Sequence, residues 1–210
     1  MQFTDERVLE WKLKVVENAI YEDELLLNDW QTKEGFYESP GEYTDCRQWE
    51  TIKLGERWTC GDGTTRWFKR IIKIPERFVG KNVVLDLEFG GEGLVKINGA
   101  IQSALTSYLE ENEATRTRVV LPHTPVAGER FEVEVEAGLN YMEFAHYRNQ
   151  GWTSIEYQFR RAKLAVVDNE VEQYYFDVKT AFDAMMALKS PIGKLAATNV
   201  KLPFDMTRVI

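Results

Sequence analysis

Few side chains in this sequence could carry chemistry on their own. It has two histidines, His123 in "PHTPV" and His146 in "AHYRN", and two cysteines, Cys46 and Cys60. A zinc site needs several convergent nitrogen, sulfur or oxygen ligands. The histidines are far apart and the cysteine spacing fits no zinc motif. The histidines therefore read as structural or solvated residues, and the cysteines as reduced structural thiols rather than a disulfide framework. Carboxylates are plentiful, 34 in all. A hydrolytic pair must flank one bond at a set separation, and almost all of these carboxylates fall on the polar faces of alternating segments. The cluster Glu110, Glu111 and Glu113 reads as a solvated loop in preference to a cation site. "CGDGTT" (60–65) reads as a turn, because calcium would need several more oxygens. No catalytic and no metal-ligating residue is assigned. The tryptophans are six, a high number. Trp58 in "GERWTCGDG" and Trp152 in "RNQGWTS" sit in polar, glycine-flanked surroundings, where a loop would present a flat ring to a sugar. They are the candidate carbohydrate-binding residues. The competing and favoured expectation is that they pack in a core or against another domain, since tryptophan is usually largely buried.

The glycines of "EFGGEGLVKINGAIQSAL" (88–105) raise a phosphate loop as a further candidate. Such a loop needs a strand before it and a helix N-terminus after it, so that free N–H groups point at the anion. Here the glycines lie between two strand patterns. Asn98-Gly99 is a strong two-residue hairpin signal, because a type I′ turn needs positive φ at both central residues. The stretch reads as a tight glycine crossing followed by a hairpin.

The elements that position these residues fall into three parts. Residues 4–27 have a helical pattern, with Leu9, Leu13, Val16 and Ile20 on one face. Thr4 is placed to cap this helix, with Asp5 and Glu6 in its first turn. An aromatic, Gly-containing connector with a turn at Pro40-Gly41 follows. From about 51 to 167 the period changes to two. "VVLDLEF" places Val83, Leu85, Leu87 and Phe89 on one face and Val84, Asp86 and Glu88 on the other. "FEVEVEA" alternates in the same way, with Phe131, Val133 and Val135 inward. "RWFKRIIKIP", "LVKINGAIQ", "TRVVLP", "LNYMEFAHY" and "SIEYQFRRAKLAVV" are further strand candidates, and across "LVKIN" Leu94 is expected inside with Val95 or Ile97. Strands at short intervals with turns between them predict a sandwich or barrel. The last part returns to helical spacing at Val171, Tyr174, Val178, Phe182 and Met185, capped by Asp168 or Asn169 and ended by Ser190-Pro191. The expected domains are 1–50 (helix and connector), 51–167 (sandwich) and 168–210 (helix and linker).

Composition bounds the function. The chain has 210 residues and a formal net charge of −8, from 26 basic and 34 acidic residues. It has no basic run, which argues against a nucleic-acid partner. It has no apolar run of the roughly 20 residues that span a bilayer, which argues against a membrane. Its start lacks an apolar signal region, so the expected location is cytoplasmic.

One stretch also carries a family resemblance. "IPERFVGKNVVLDLEFGGEGLVKINGAIQSAL" (74–105) resembles the N-terminal accessory domain of α-mannosidases of glycoside hydrolase family 38, the cytosolic and bacterial type. Trp67-Phe68 precedes Ile74-Pro75 as in that family, Gly80-Lys81 matches its turn, and 91–95 matches its "GGEGLV" core. Lys96 replaces the usual aromatic and Ser103 stands near the family's glycine. "RRAKLAVVDNEVEQYYFDV" (160–178) is similar to the family's exit from strand to helix. The likeness covers most of the chain and fades after about residue 190. It implies a mainly β fold, an antiparallel β-sandwich of jelly-roll, galactose-binding-like type, flanked by N- and C-terminal α-helices. It implies a parent that is a retaining α-mannosidase, acting on terminal α-mannosides. The two carboxylates and the divalent metal, usually zinc, of such an enzyme lie in a separate catalytic domain. The metal motif there, His-x-His-x-Asp, is matched by neither His123 nor His146. No cofactor is then expected in this chain, and the chain alone is expected to be inactive. The tail "KLAATNVKLPFDMTRVI" carries no turn signal that closes a domain, so the chain reads as the N-terminal piece of a longer enzyme. The expected partner is the catalytic domain of the same polypeptide, met through Tyr175, Met186 and Phe204 on the last helix and tail. Spare apolar surface there predicts self-association. Two other roles stay open: a carbohydrate-binding module with an oligosaccharide partner, and a stand-alone sandwich protein.

Overall fold

The computed structural model describes residues 5–107 and 115–189. It opens with α1 (Asp5–Asn18), then β1 (Tyr21–Leu26), β2 (Asp29–Ser39), β3 (Glu42–Thr44), β4 (Glu50–Lys53), β5 (Arg57–Gly61) and β6 (Thr64–Lys73). There follow β7 (Val83–Glu88), β8 (Glu92–Ile97), β9 (Ala100–Thr106), β10 (Arg118–Val120) and β11 (Arg130–Gly138). The chain continues as α2 (Tyr141–Arg148), β12 (Ser154–Gln158), β13 (Arg161–Val167) and α3 (Asn169–Lys189). A four-stranded sheet runs β1-β13-β7-β10 and a seven-stranded sheet runs β3-β2-β6-β11-β8-β9, with β4 also on β2. β12 and β5 form a two-stranded sheet. The chain divides into two compact units, Asp23–Val166 and the two terminal helical segments that flank it.

The larger unit is a mainly β, antiparallel jelly-roll sandwich. Its core lies between the sheets. Leu85 and Leu87 of β7 and Ala162, Leu164 and Val166 of β13 come from one layer. Phe68 and Ile72 of β6, Val133 and Val135 of β11, and Val95 and Ile97 of β8 come from the other. Alternation on β11 works as expected: Phe131, Val133 and Val135 are buried and lie opposite Ile72, Arg70 and Phe68. An aromatic cluster fills the centre, with Phe89 stacked on Phe159 at 4.5 Å and meeting Trp30 edge-on at 5.1 Å.

Several expectations change. The first helix ends at Asn18, not at 27. The Ala19 N–H bonds back three residues to the Val16 carbonyl at 2.9 Å, the tightening typical of a last turn. Beyond it, "YEDELL" alternates half-buried with exposed, the period of a strand. The connector is sheet as well. β2 is, among the described residues, the longest strand, with 11 residues, and buries Trp30 and Thr32. The Thr32 hydroxyl donates to the Trp67 carbonyl at 2.9 Å, which makes an inward threonine tolerable. Strands of the sandwich unit therefore begin well before residue 51.

"LNYMEFAHY" holds a helix, not a strand. Asn140 caps α2, its side chain accepting from the Glu143 N–H at 3.3 Å. An Asn followed three residues later by Glu is a helix-start signal. "SIEYQFRRAKLAVV" divides at Phe159-Arg160 into β12 and β13, which lie in different sheets. Leu94 is half-buried and lies opposite Glu136, on the other face from buried Val95 and Ile97. Adjacent residues of a strand cannot share a face.

On β7 the face of Asp86 and Glu88 is buried too. Arg161 meets Asp86 at 3.1 Å and Glu88 at 3.0 Å, Arg160 meets Glu88 at 3.1 Å, and Lys163 approaches Asp86 at 3.8 Å. Buried carboxylates persist only when paired in this way. The Arg161–Asp86 contact is ionic rather than a well-directed hydrogen bond, since neither of its two atoms meets hydrogen-bond geometry.

In the helical unit α1 contacts α3. Leu9, Leu13 and Ile20 are buried, as are Tyr175, Val178, Phe182 and Met185. The buried stripe of α3 runs through Tyr175, and Tyr174 is exposed, the reverse of the expectation. Asp168 caps α3, accepting from the N–H groups of Glu170 and Val171 at 3.0 and 3.1 Å.

Candidate functional site

The glycine crossing is a packing device. Gly90 and Gly91 have φ of 97° and 67°. A Cβ on Gly90 would lie 2.4 Å from Tyr157, and one on Gly91 2.2 Å from the Gly138 carbonyl oxygen. Only glycine permits this approach. A cavity of about 10 Å³ beside it, lined by Glu88, Ser107 and Arg116 among others, has room for about one water. Asn98 and Gly99 follow with φ of 51° and 79°, the hairpin turn between β8 and β9. An open groove of about 330 Å³ lies along Asp29, Gln31, Thr51, Lys69, Arg70 and Ile71. Its cations are already engaged, Lys69 by Glu132 and Arg70 by the Asp29 carbonyl.

The two tryptophans separate. Trp58 is buried on β5. Its indole N–H donates to the Phe89 carbonyl at 2.7 Å, and its ring packs against Phe68 and Tyr157. It presents no face to solvent and is a core residue. Trp152 is 45% exposed. It follows α2 in a turn whose backbone N–H returns to the Tyr147 carbonyl at 3.2 Å, and its ring stacks on Tyr147 at 4.8 Å.

Sequence reasoning missed the groups around it. Asp62, in the turn between β5 and β6, accepts from the Tyr141 hydroxyl at 2.9 Å and lies 3.9 Å from Arg148. That hydrogen bond, then partial burial and the carboxylate's charge, holds the Tyr141 phenol above its ordinary pKa. Tyr141 lies in "LNYMEFAHY", whose pattern suits a strand, and Arg148 is brought to Asp62 only because that segment is the helix α2. The capping signal at Asn140 was the available clue.

The remaining candidates are dispersed. His123 pairs with Glu129 at 2.6 Å, and His146 with Gln150 at 3.1 Å. Cys46 is exposed and free. Cys60 is free and buried, and its thiol is pushed up to about 12, first by desolvation and then by the charge of Glu34. Among the described residues no group of three or more His, Cys, Asp or Glu is placed to hold a metal ion. No helix among them is long and apolar enough to cross a membrane. Met186 is exposed and Tyr175 is buried on α3. Phe204 and the cluster Glu110, Glu111 and Glu113 lie outside the described residues.

Residues 24–165, more than half of the chain, match the family described as "Alpha-mannosidase, jelly roll domain". The chain belongs to that family. The match to an α-mannosidase jelly roll domain covers nearly the whole sandwich unit, β2 to β12 included. No curated protein sequence matches the chain. Among solved structures, this jelly roll domain is similar to a β-glucuronidase of Faecalibacterium prausnitzii at 12% identity and a TM-score of 0.45, over 70% of this chain and 32% of that one. A GH2 β-galacturonidase of Eisenbergiella tayi matches at 14% identity and 0.45, over 70% and 25%. A β-D-mannosidase of Dictyoglomus thermophilum matches at 10% identity and 0.37, over 62% and 17%. The matches span about a third or less of those chains.

Proposed function

We propose that this chain is the non-catalytic N-terminal domain of a family 38 α-mannosidase, and that it docks and orients the catalytic domain of the same polypeptide. The match of residues 24–165 to the α-mannosidase jelly roll domain carries this reading. In it the parent enzyme hydrolyses terminal α-mannosides in the cytoplasm, and a divalent metal, zinc, serves in the catalytic domain. The described residues of this chain do not fit that metal: His123 and His146 lie apart, each with its own polar partner. Of the expected docking side chains Met186 is exposed on α3 and Phe204 lies outside the described residues; Phe176, also exposed on α3, is added to the set. Tyr175 leaves that set because it is buried.

The test has two arms. The chain alone, given 4-nitrophenyl α-D-mannopyranoside with and without zinc or cobalt, is expected to show no turnover above the buffer blank. Chelator-sensitive turnover would overturn the reading. In the longer enzyme, Met186→Glu together with Phe176→Glu is expected to lower thermal stability or activity while the isolated chain stays folded. Indifference of the enzyme to both changes removes the docking role.

A further inference from the structure

At one end of the sandwich, four segments bring aromatic rings and a charge pair onto one open surface. The β5–β12 ladder ends with Gly61 opposite Ser154. Beyond that pair the two strands stay close, since a Cβ on Gly61 would lie 3.5 Å from the Thr153 carbonyl oxygen. Trp152 therefore emerges beside the Asp62-Gly63 turn. A Cβ on Gly63 would lie 2.5 Å from the Phe36 ring, so Phe36 of β2 closes over the same turn. α2 adds Tyr141 and Arg148, both directed at the Asp62 carboxylate.

Folding has left these groups in water. Trp152 and Phe36 are each 45% exposed, and Tyr141 is 58% exposed. The Asp62 and Arg148 side chains are 57% and 67% exposed. An exposed ion pair adds little stability, and exposed rings forgo the stabilisation that burial would give. The Trp152 ring is nevertheless held in place. Tyr147 packs against the core and backs one face of the Trp152 indole, and the backbone of Trp152 is tied to the Tyr147 carbonyl. A ring held on one face and open on the other is a preformed surface that loses little entropy on binding.

The chemistry selects the ligand. A pyranose ring has an apolar face of C–H groups and a rim of hydroxyls that both donate and accept. The π face of an indole suits the first. A carboxylate beside a guanidinium suits the second, one accepting and the other donating. Asp62 offsets the charge of Arg148, which favours a neutral ligand over an anionic one. The exposed rings share this end with a carboxylate and a guanidinium, polar groups that a purely apolar protein partner would have to desolvate.

We propose that this end of the domain is a platform for a neutral oligosaccharide, with Trp152 stacking on a pyranose ring and Asp62 and Arg148 bonding its hydroxyls. This proposal is independent of the docking role of α3, which is measured in the longer enzyme, so either can fail alone.

The experiment uses the 210-residue chain labelled with nitrogen-15 and titrated with linear α-mannotriose, then with maltotriose. A saturable shift of the Trp152 indole N–H signal is expected with at least one of them. Trp152→Ala and, separately, Asp62→Asn are each expected to weaken binding by about tenfold or more, as for a central contact residue. Both side chains are exposed, so the thermal midpoint should hold, and Asp62→Asn keeps the test open if Trp152→Ala misfolds. No saturable shift with either sugar well above about 1 mM overturns the proposal. So does undiminished binding in both variants. Broadening of the Trp152 signal with chain concentration alone would mark a self-association surface and overturn it equally.

Discussion

Gly91 shows how one missing methyl group decides a fold. Its φ of 67° would strain any L side chain, and an added Cβ would meet the Gly138 backbone oxygen at 2.2 Å. Gly99 has a similar φ of 79° but nothing within 4 Å. Gly99→Ala is therefore expected to cost the backbone term alone, about 1–2 kcal/mol. Gly91→Ala should cost clearly more, because backbone must move. Paired urea denaturation curves check this, and equal midpoints would refute the close approach. The thiols supply a second contrast at this scale. Exposed Cys46 should react with a thiol reagent in the native state, while Cys60 should react only on unfolding. The Cys60 pKa of about 12 lies above the unfolded value. The stability it contributes is thus fully present below about pH 8.5 and is lost as pH rises from there towards 12. Removing the thiol by Cys60→Ala should flatten that alkaline decline in unfolding free energy, whatever the cavity costs at neutral pH.

Among the elements, β8 tests strand facing. Val95 is fully buried in the core, while half-buried Leu94 lies opposite Glu136 on the other face. Val95→Ala is expected to cost about 2 kcal/mol by transfer and cavity effects, and Leu94→Ala less than about 1 kcal/mol. The reverse order of denaturation midpoints would mean that the strand faces the other way. β11, with clean alternation, is legible from residue types, and so is β7 as a strand, though not the burial of its Asp86 and Glu88 face. β2 is not, since its inward residues include Thr32, whose fitness for the core comes from a hydrogen bond to β6. α2 is hidden for a different reason. Tyr141, Phe144 and Tyr147 suit strand or helix equally, and the cap at Asn140 decides. Asn140→Ala should cost about 1 kcal/mol, measured on the whole domain because α2 is too short to be stable alone.

For the whole molecule the apolar surface of the helical unit sets an expectation. Trp11 and Val15 of α1 are 67% and 50% exposed, and Phe176 of α3 is 51% exposed. Exposed apolar residues at helical spacing favour association. Sedimentation over a concentration series should show self-association that weakens in Trp11→Glu with Phe176→Glu. A strict monomer at high concentration would show that these residues are simply solvated.

The sandwich, the hairpin at Asn98-Gly99 and the likeness to α-mannosidases were legible in the residue order alone. These are local properties: a period of two, a positive-φ turn and a contiguous glycine motif. The residue order also singled out Trp152 by its polar, glycine-flanked surroundings, and in equal terms Trp58. Only the tertiary structure separated the two, burying Trp58 against Phe68 and Tyr157 and leaving Trp152 in water. It alone brought Phe36, Asp62, Tyr141 and Arg148 to one end of the sheets. Burial and convergence depend on which strands pair, and strand pairing joins residues far apart in the chain, a relation that local spacing does not encode.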